Sequence, residues 1–268
     1  MQVKLLCEAD LTTDTFRDLY RWDLREHFAV DTKNYWAIHY RNRRGAILRA
    51  MSDFVPTGGS ILDIGCAQAT VALLLAERGF KVTAIDANHE RLRYARLRWE
   101  TGDINYVCMD GMRLSLKTSF DAILLGEVLE HVPQPKKLLE TCWDMLHPGG
   151  IIVITTPNGL GLHNWLSTGY NPSTMESPDR ANMPSGFGGR ETHLFCLRPN
   201  QLRGLVLKIG LFIERQELLN SYVVNPLGLH KFFPLNTADG LNRFFSRIPI
   251  LASFTTMTQF VVARKPTR

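Results

Sequence analysis

The sequence predicts an α/β fold built on a seven-stranded sheet, and three observations carry that prediction. Short apolar segments alternate with helical segments from residue 60 to residue 157. Those apolar segments lack polar alternation, as strands buried on both faces do. Strands alternating with helices of this length make βαβ units, whose crossovers leave neighbouring strands parallel and both faces covered.

Residues 1–55 read as an N-terminal helical cap. "TTDTFRDLYRWDLREHF" opens with Thr and Asp caps and carries apolar residues at helical spacing, and "NYWAIHYRNRRGAILRAMSDFV" continues the pattern. "PTGG" at 56–59 breaks the chain, and residues 56–268 form the main domain. "SILDIG" (60–65) is the first strand, "TVALLLAERG" (70–79) a helix closed by Gly79, and "KVTAID" (81–86) the second strand. "NHERLRYARLRW" is a helix, "INYVCM" (104–109) the third strand and "FDAILLG" (120–126) the fourth. "PQPKKLLETCWDML" is a helix started by prolines, and "GGIIVITTP" (149–157) the fifth strand. Residues 158–197 form a first insertion, rich in Gly, Pro, Ser and Asn up to residue 192, of the kind that serves as a lid. A helix, "RPNQLRGLVLKIG" (198–210), and a strand, "LFIERQELL", follow. A second insertion, 220–256, precedes the last strand, "TMTQFVVARK" (256–265).

Length and composition agree with one large domain carrying insertions. The chain has 268 residues, 45% hydrophobic and 21% charged, the balance of an ordinary globular protein. Its net charge of +5 suits an anionic substrate, a membrane surface or RNA without choosing among them. The arginine run "HERLRYARLRWE" reads as an exposed helix face rather than a nucleic-acid patch. Cys7, Cys66, Cys108, Cys142 and Cys196 are scattered, which points to neither a zinc site nor a disulfide framework. "MQVKLLCEADLTTD" lacks the apolar core of a signal peptide, and no apolar run approaches the ~20 residues a membrane span needs. A cytoplasmic location is expected.

Ligands of an open α/β sheet bind beyond the carboxyl ends of its strands. The loop "DIGCAQAT" (63–70) leaves the first strand there, with Asp63, Gly65, Cys66 and Ala67 as candidate contacts. Gly65 permits a tight turn, and Ala67 and Ala69 let backbone approach a ligand. Asp86, followed by Ala87, ends the second strand and is placed to accept hydrogen bonds from ribose hydroxyls. Asp110, with Gly111 and Met112, ends the third strand and is placed to accept from an adenine amino group. Each of these residues taken alone also serves as a turn or helix cap; three strand ends in register make the functional reading. A nicotinamide site would want G-x-G-x-x-G, which Ala69-Thr70-Val71 does not supply.

"GEVLEHV" (126–132) follows the fourth strand and sets two glutamates and a histidine in an apolar stretch. In one helical turn, Glu130 and His131 stand three and four residues after Glu127, and all three side chains can converge. Two carboxylates brought together require a positive charge or a shared proton between them. A solvated, purely structural role suits one such residue better than three on one face.

With "ILDIGCAQAT", "VTAID", "VCMDG" and "LHPGGIIVITTPN" in this order, the chain resembles the class I S-adenosylmethionine-dependent methyltransferases, tightly over 55–158 and loosely over 193–219. The resemblance implies a Rossmann-like seven-stranded methyltransferase sheet, S-adenosyl-L-methionine as cofactor and Glu127 as a further cofactor contact. Ala67 and Ala69 depart from the glycines common in that family. Since alanine tolerates left-handed angles poorly, the loop either takes ordinary angles or carries strain. The pattern E-x-x-E-H is similar to that of ubiquinone-biosynthesis-type O-methyltransferases and of small-RNA terminal 2′-O-methyltransferases. In the latter a divalent cation is held by two glutamates and two histidines. That implies Glu127, Glu130, His131 and a later histidine as metal ligands. His193 is the candidate by position, and His163 is its weaker rival.

The expected reaction is O-methylation of a phenol, catechol or diol on a small molecule. A magnesium-like ion keeps coordination positions for substrate, and two imidazoles also admit Mn²⁺, Fe²⁺ or Zn²⁺. Such an ion acidifies a bound hydroxyl; the metal-free alternative makes His131 or His193 the general base, oriented by the glutamates. Glu130, His131 and His193 are thus the catalytic candidates on either route. Methylation of an RNA terminus and a non-catalytic cofactor-binding or scaffold subunit are the competing readings, and no nucleic-acid partner is expected. Tyr35, Trp36, Tyr40 and Arg41, ahead of the first strand, are placed to close over cofactor and substrate, although aromatics at this spacing are more often core. Segment 225–254 carries Leu241, Phe244, Phe245 and Ile248 on one helical face, until Pro249 interrupts, among Lys231, Arg243 and Arg247. It is expected to cover the substrate pocket, lining it for an apolar acceptor, with peripheral membrane contact as the alternative.

Overall fold

The computed structural model describes residues 3–26, 35–162, 193–194, 196–221, 240, 244 and 248–267. His163, residues 164–192, the stretch 222–239 with Lys231, and Leu241, Arg243, Phe245 and Arg247 lie outside the described residues, as do the side chains of Tyr35 and Trp36. The expectations placed on them are therefore not addressed by the structure.

Seven strands form one sheet in the order β3-β2-β1-β4-β5-β7-β6. They are β1 (Ser60–Ile64), β2 (Lys81–Asp86), β3 (Asp103–Cys108), β4 (Phe120–Gly126), β5 (Leu146–Pro157), β6 (Phe212–Ser221) and β7 (Thr256–Arg264). β1 to β5 pair in parallel, whereas β7 inserts antiparallel between β5 and β6. The strand order therefore reverses between β1 and β4, and that reversal opens the crevice in which such sheets bind ligands.

The continuous apolar runs are explained by burial on both faces. In β1, Ile61 points into one core and Leu62 and Ile64 into the other; β4 does the same with Leu124 against Ile123 and Leu125. The first core is completed by helices α2 (Tyr35–Phe54) and α3 (Thr70–Ala76), and the second by α5 (Pro135–Met145) and α6 (Pro199–Lys208). Helix α4 (His89–Leu97) starts where Asn88 accepts from the amides of Glu90 and Arg91, a cap worth about 1 kcal/mol.

The cap contains α1 (Asp14–Glu26) as well as α2. Leu6, Leu11, Phe16 and Leu19 bury a small third core against Tyr94 of α4, which fixes α1 beside the β2–β3 end of the sheet. Pro249, which follows the extended Ile248, opens α7 (Pro249–Thr255), since its missing N–H falls among the donors a first turn leaves unpaired. Phe244 is 60% exposed rather than packed on the sheet, and Ile250, Leu251 and Phe254 are exposed as well. No helix among the described residues is long and apolar enough to cross a membrane.

Candidate active site

The loop from β1 to α3 enters the crevice at Gly65, whose φ is +71° and where an added Cβ would fall 2.8 Å from a Val128 methyl, so a side chain there is strained. Ala67 and Ala69 also have left-handed angles, φ 51° and 56°. The loop therefore carries strain, of about 1–2 kcal/mol per residue. Neighbours hold it there. The amide of Ala67 donates to Asp86 Oδ2 at 2.9 Å, that of Cys66 to the carbonyl of Ile85 at 2.9 Å, and that of Ala69 to the carbonyl of Cys66 at 2.8 Å.

Asp86 is buried at the end of β2, and its other oxygen accepts from the amide of Asn88 at 2.8 Å. A carboxylate offers roughly four acceptor positions, so capacity remains for ligand hydroxyls. Ala87 next to it is exposed. Asp110 is exposed and caps a 3-10 turn at Gly111–Arg113 by accepting from the amide of Met112 at 2.9 Å; Gly111 sits against Ile64, and Met112 packs on the second core. Asp63 is buried beneath the loop. Burial, reinforced by Asp86, pushes its carboxyl up to about 8, so it is a neutral acid at neutral pH. Burial likewise raises the Cys66 thiol, with Asp63 and Asp86 adding to the effect, which keeps it from acting as a nucleophile.

Above the loop lies a cavity of about 150 Å³ between cap and sheet. Asp63, Gly65, Cys66, Ala67, Gln68 and Thr70 line it from below; Asp23, Tyr40, Arg43, Arg44 and Ile47 line it from the cap. Tyr40, Arg43, Arg44 and Ile47 occupy successive turns of one face of α2. That periodic polar-aromatic stripe was the signal from which Arg43 and Arg44 could have been found, whereas Arg41 is exposed. Arg44 is half-buried, and burial together with the positive charges of Arg41 and Arg98 works against its protonated form. A ligand carboxylate would relieve that unfavourable field.

Beyond β4 the chain does not make one helical turn starting at Glu127. Glu127 itself is left-handed (φ 59°), and only Leu129–His131 form a 3-10 turn. The reversed angle sends the Glu127 carboxylate to Arg43, with Oε2 3.2 Å from Nη1. Glu130, His131 and His193 do converge, each offering one ligand atom within 4.8 Å of the others. Among the described residues the group whose geometry could hold an ion is Glu130, His131 and His193; Glu127, the further ligand that the resemblance implied, pairs with Arg43 through Oε2 and keeps Oε1 buried without a hydrogen-bond partner. The His131 and His193 rings stand edge to face with centroids 4.7 Å apart. His193 is held by its neighbour Leu194, whose amide donates to the carbonyl of Glu130 at 2.7 Å.

Glu130 is fully buried. Oε2 accepts from the Thr156 hydroxyl at 3.0 Å, while Oε1 is buried without a hydrogen-bond partner. Burial raises its pKa well above the usual carboxylate range, and Glu127 adds to the rise. An orphaned buried oxygen costs about 1–3 kcal/mol unless a proton, cation or ligand hydroxyl meets it. One carboxylate and two imidazoles form a donor set that fits Mn²⁺, Fe²⁺ or Zn²⁺ better than Mg²⁺, which prefers oxygen.

A family described as a methyltransferase domain matches residues 62–154. The ubiquinone biosynthesis O-methyltransferase of Idiomarina loihiensis is 37% identical over 181 residues, which cover 62% of this chain and 74% of that protein. The one from Xylella fastidiosa is 33% identical over 149 residues, 52% of this chain and 61% of that protein, so the match spans only part of its length. In structure, the N-methyltransferase NodS of Bradyrhizobium japonicum, in complex with S-adenosyl-L-homocysteine, superposes with a TM-score of 0.55 at 16% identity. That superposition covers 95% of this chain and all 100% of NodS, a likeness of fold alone.

Proposed function

The chain belongs to the class I S-adenosylmethionine-dependent methyltransferases, and on that premise we propose that it methylates a hydroxyl oxygen of a small phenol, catechol or diol. The observation that carries the choice of oxygen is the convergence of Glu130, His131 and His193 at the carboxyl end of β4, the strand whose Gly126 lines the cavity. Its relatives from Idiomarina and Xylella, named as O-methyltransferases, support the same chemistry.

In this reading S-adenosylmethionine, bound in the cavity and over its rim, supplies the methyl group. The residues present fit it. Arg44, beside the Glu127-paired Arg43, offers a cation to an amino-acid carboxylate, the left-handed loop brings backbone close, and Asp86 keeps acceptor positions for ribose hydroxyls. A divalent ion on Glu130, His131 and His193 would lower the pKa of a coordinated hydroxyl. Thr156 holds the Glu130 carboxylate in place; without an ion, His131 or His193 would instead serve as general base for the hydroxyl proton. Glu127, turned away to Arg43, neutralises that arginine rather than joining the donor set. A location in the cytoplasm and an apolar acceptor belong to the same proposal.

The test is methyl transfer from labelled S-adenosylmethionine to a catechol, run with Mn²⁺, with Mg²⁺ and with chelator. Transfer to oxygen that depends on Glu130 and His193 supports the reading. Labelled product on nitrogen or carbon, or only on an RNA terminus, overturns it.

A further inference from the structure

Arg98 follows α4, is 1% exposed, and takes no part in the chemistry above. Its Nη1 donates to the carbonyl of Gln68 at 2.9 Å and its Nη2 to the Thr70 hydroxyl at 3.1 Å. Gln68 lies between the two left-handed alanines, and Thr70 follows the second, so both bonds grip the strained part of the cofactor loop. The guanidinium is paired in turn: Nε faces Asp23 Oδ2 at 3.2 Å, and the Tyr94 hydroxyl donates to the same oxygen at 2.6 Å. Asp23 belongs to α1 of the cap and is also 1% exposed. Asp23, Gln68 and Thr70 all line the cavity.

A buried guanidinium needs a counterion and acceptors for its donors; both Nη atoms of Arg98 have acceptors, while Nε meets Asp23 as an ion pair without a hydrogen bond. Here the counterion comes from one element and the acceptors from another, so the three are held together through Arg98. Glycines would take the angles of residues 67 and 69 without help, but alanines persist there only while their surroundings hold them.

We infer that Arg98 is the positioning residue of the cofactor loop, holding Ala67 to Thr70 in their left-handed path, and that Asp23 of the cap keeps Arg98 aimed. Helix α1 is thereby part of the cofactor site, and its docking is linked to cofactor binding. This rests on the reading of the cavity as the site of S-adenosylmethionine.

The test is a cycle in the full chain, with S-adenosyl-L-homocysteine affinity read by calorimetry and amide exchange of Ala67 and Ala69 read without ligand. Arg98→Met is expected to weaken binding by about tenfold, as loss of charged hydrogen bonds does. In a background of Ala67→Gly with Ala69→Gly, the same change is expected to cost less than about threefold, because glycine needs no clamp. Equal losses in both backgrounds, or none, overturn the inference, since a general packing role predicts equal losses. Thr70→Val, which removes one loop acceptor and leaves the Asp23–Arg98 pair intact, decides the matter if Arg98→Met does not fold. Removing the grip should speed amide exchange at Ala67 and Ala69, and exchange that stays at the parent rate in Arg98→Met and Thr70→Val overturns the clamp. Asp23→Asn should speed exchange at Ala67 and Ala69 from a distant helix, and unchanged exchange there overturns the link to the cap. If the parent protein binds no S-adenosyl-L-homocysteine, the cofactor reading fails, and the exchange data alone decide the clamp.

Discussion

His131 and His193 meet edge to face with ring centroids 4.7 Å apart, although one ends the turn after β4 and the other lies near the end of the first insertion. With Glu130 they form a group whose ligand atoms lie close enough to hold one ion. His193→Ala is expected to lower Mn²⁺ or Zn²⁺ affinity by at least about tenfold, the scale on which even outer partners of ligands act. Glu127→Gln, whose parent carboxylate is engaged by Arg43, is expected to leave that affinity within about threefold. Titration by calorimetry checks both, and equal losses would restore Glu127 to the ligand set.

Glu130→Gln should leave S-adenosyl-L-homocysteine affinity nearly intact and remove most turnover. The amide matches the neutral acid that burial favours, so the fold keeps its packing while the anionic ligand is lost. Parallel loss of affinity, turnover and melting temperature would reveal a folding role instead.

Asp86→Ala is expected to weaken cofactor binding by roughly 1–3 kcal/mol, through lost hydrogen bonds to a charged acceptor. The same change frees the amides of Ala67 and Asn88, so the melting temperature should fall too. Unaltered affinity would move the ribose site elsewhere.

Asp63 links stability to pH. Its folded value, about 8, lies above the ordinary 3.8, so across that interval the folded chain keeps a proton that the unfolded chain releases. Its contribution is present in full below the lower value and is lost as pH rises through the upper one. The slope is about 1.4 kcal/mol per pH unit at most. Between about pH 5 and pH 8 the parent protein should lose stability more steeply than Asp63→Asn. Denaturant titrations at several pH values check this, and parallel slopes would refute it.

Phe244→Glu is expected to change stability by no more than about 0.5 kcal/mol, since an exposed position loses little packing. A large drop in the denaturation midpoint would show that the side chain is covered in solution. The membrane reading of this segment gains if the substitution lowers co-sedimentation with anionic vesicles while leaving that midpoint unchanged.

Much of this architecture was legible before any coordinates. Periodicity located all seven strands, because a buried strand must be apolar on both faces and short, and the strand ends then located Gly65, Asp86 and Glu130. The convergence of Glu130, His131 and His193 was legible in part, since the E-x-x-E-H spacing pairs the first two and only position suggested the third. Glu127 was misplaced because helical spacing assumes right-handed angles, and its φ of 59° is a local reversal that no pattern announces. The helix that begins at Pro249 was not legible either, since a proline that interrupts one helical pattern is equally suited to begin the next.

The sequence by itself determined the α/β sheet, the loops that meet at its carboxyl edge and the chemical character of the residues there. Those follow from side-chain periodicity and backbone preference, which act over a few residues. Only the tertiary structure decided that Glu127 pairs with Arg43, that Asp23 and Arg98 close the cofactor loop from a different helix, and that Ala67 and Ala69 are left-handed. These depend on which groups are buried together far apart in the chain, where unpaired charge is costly and a strained backbone survives only under restraint from its neighbours.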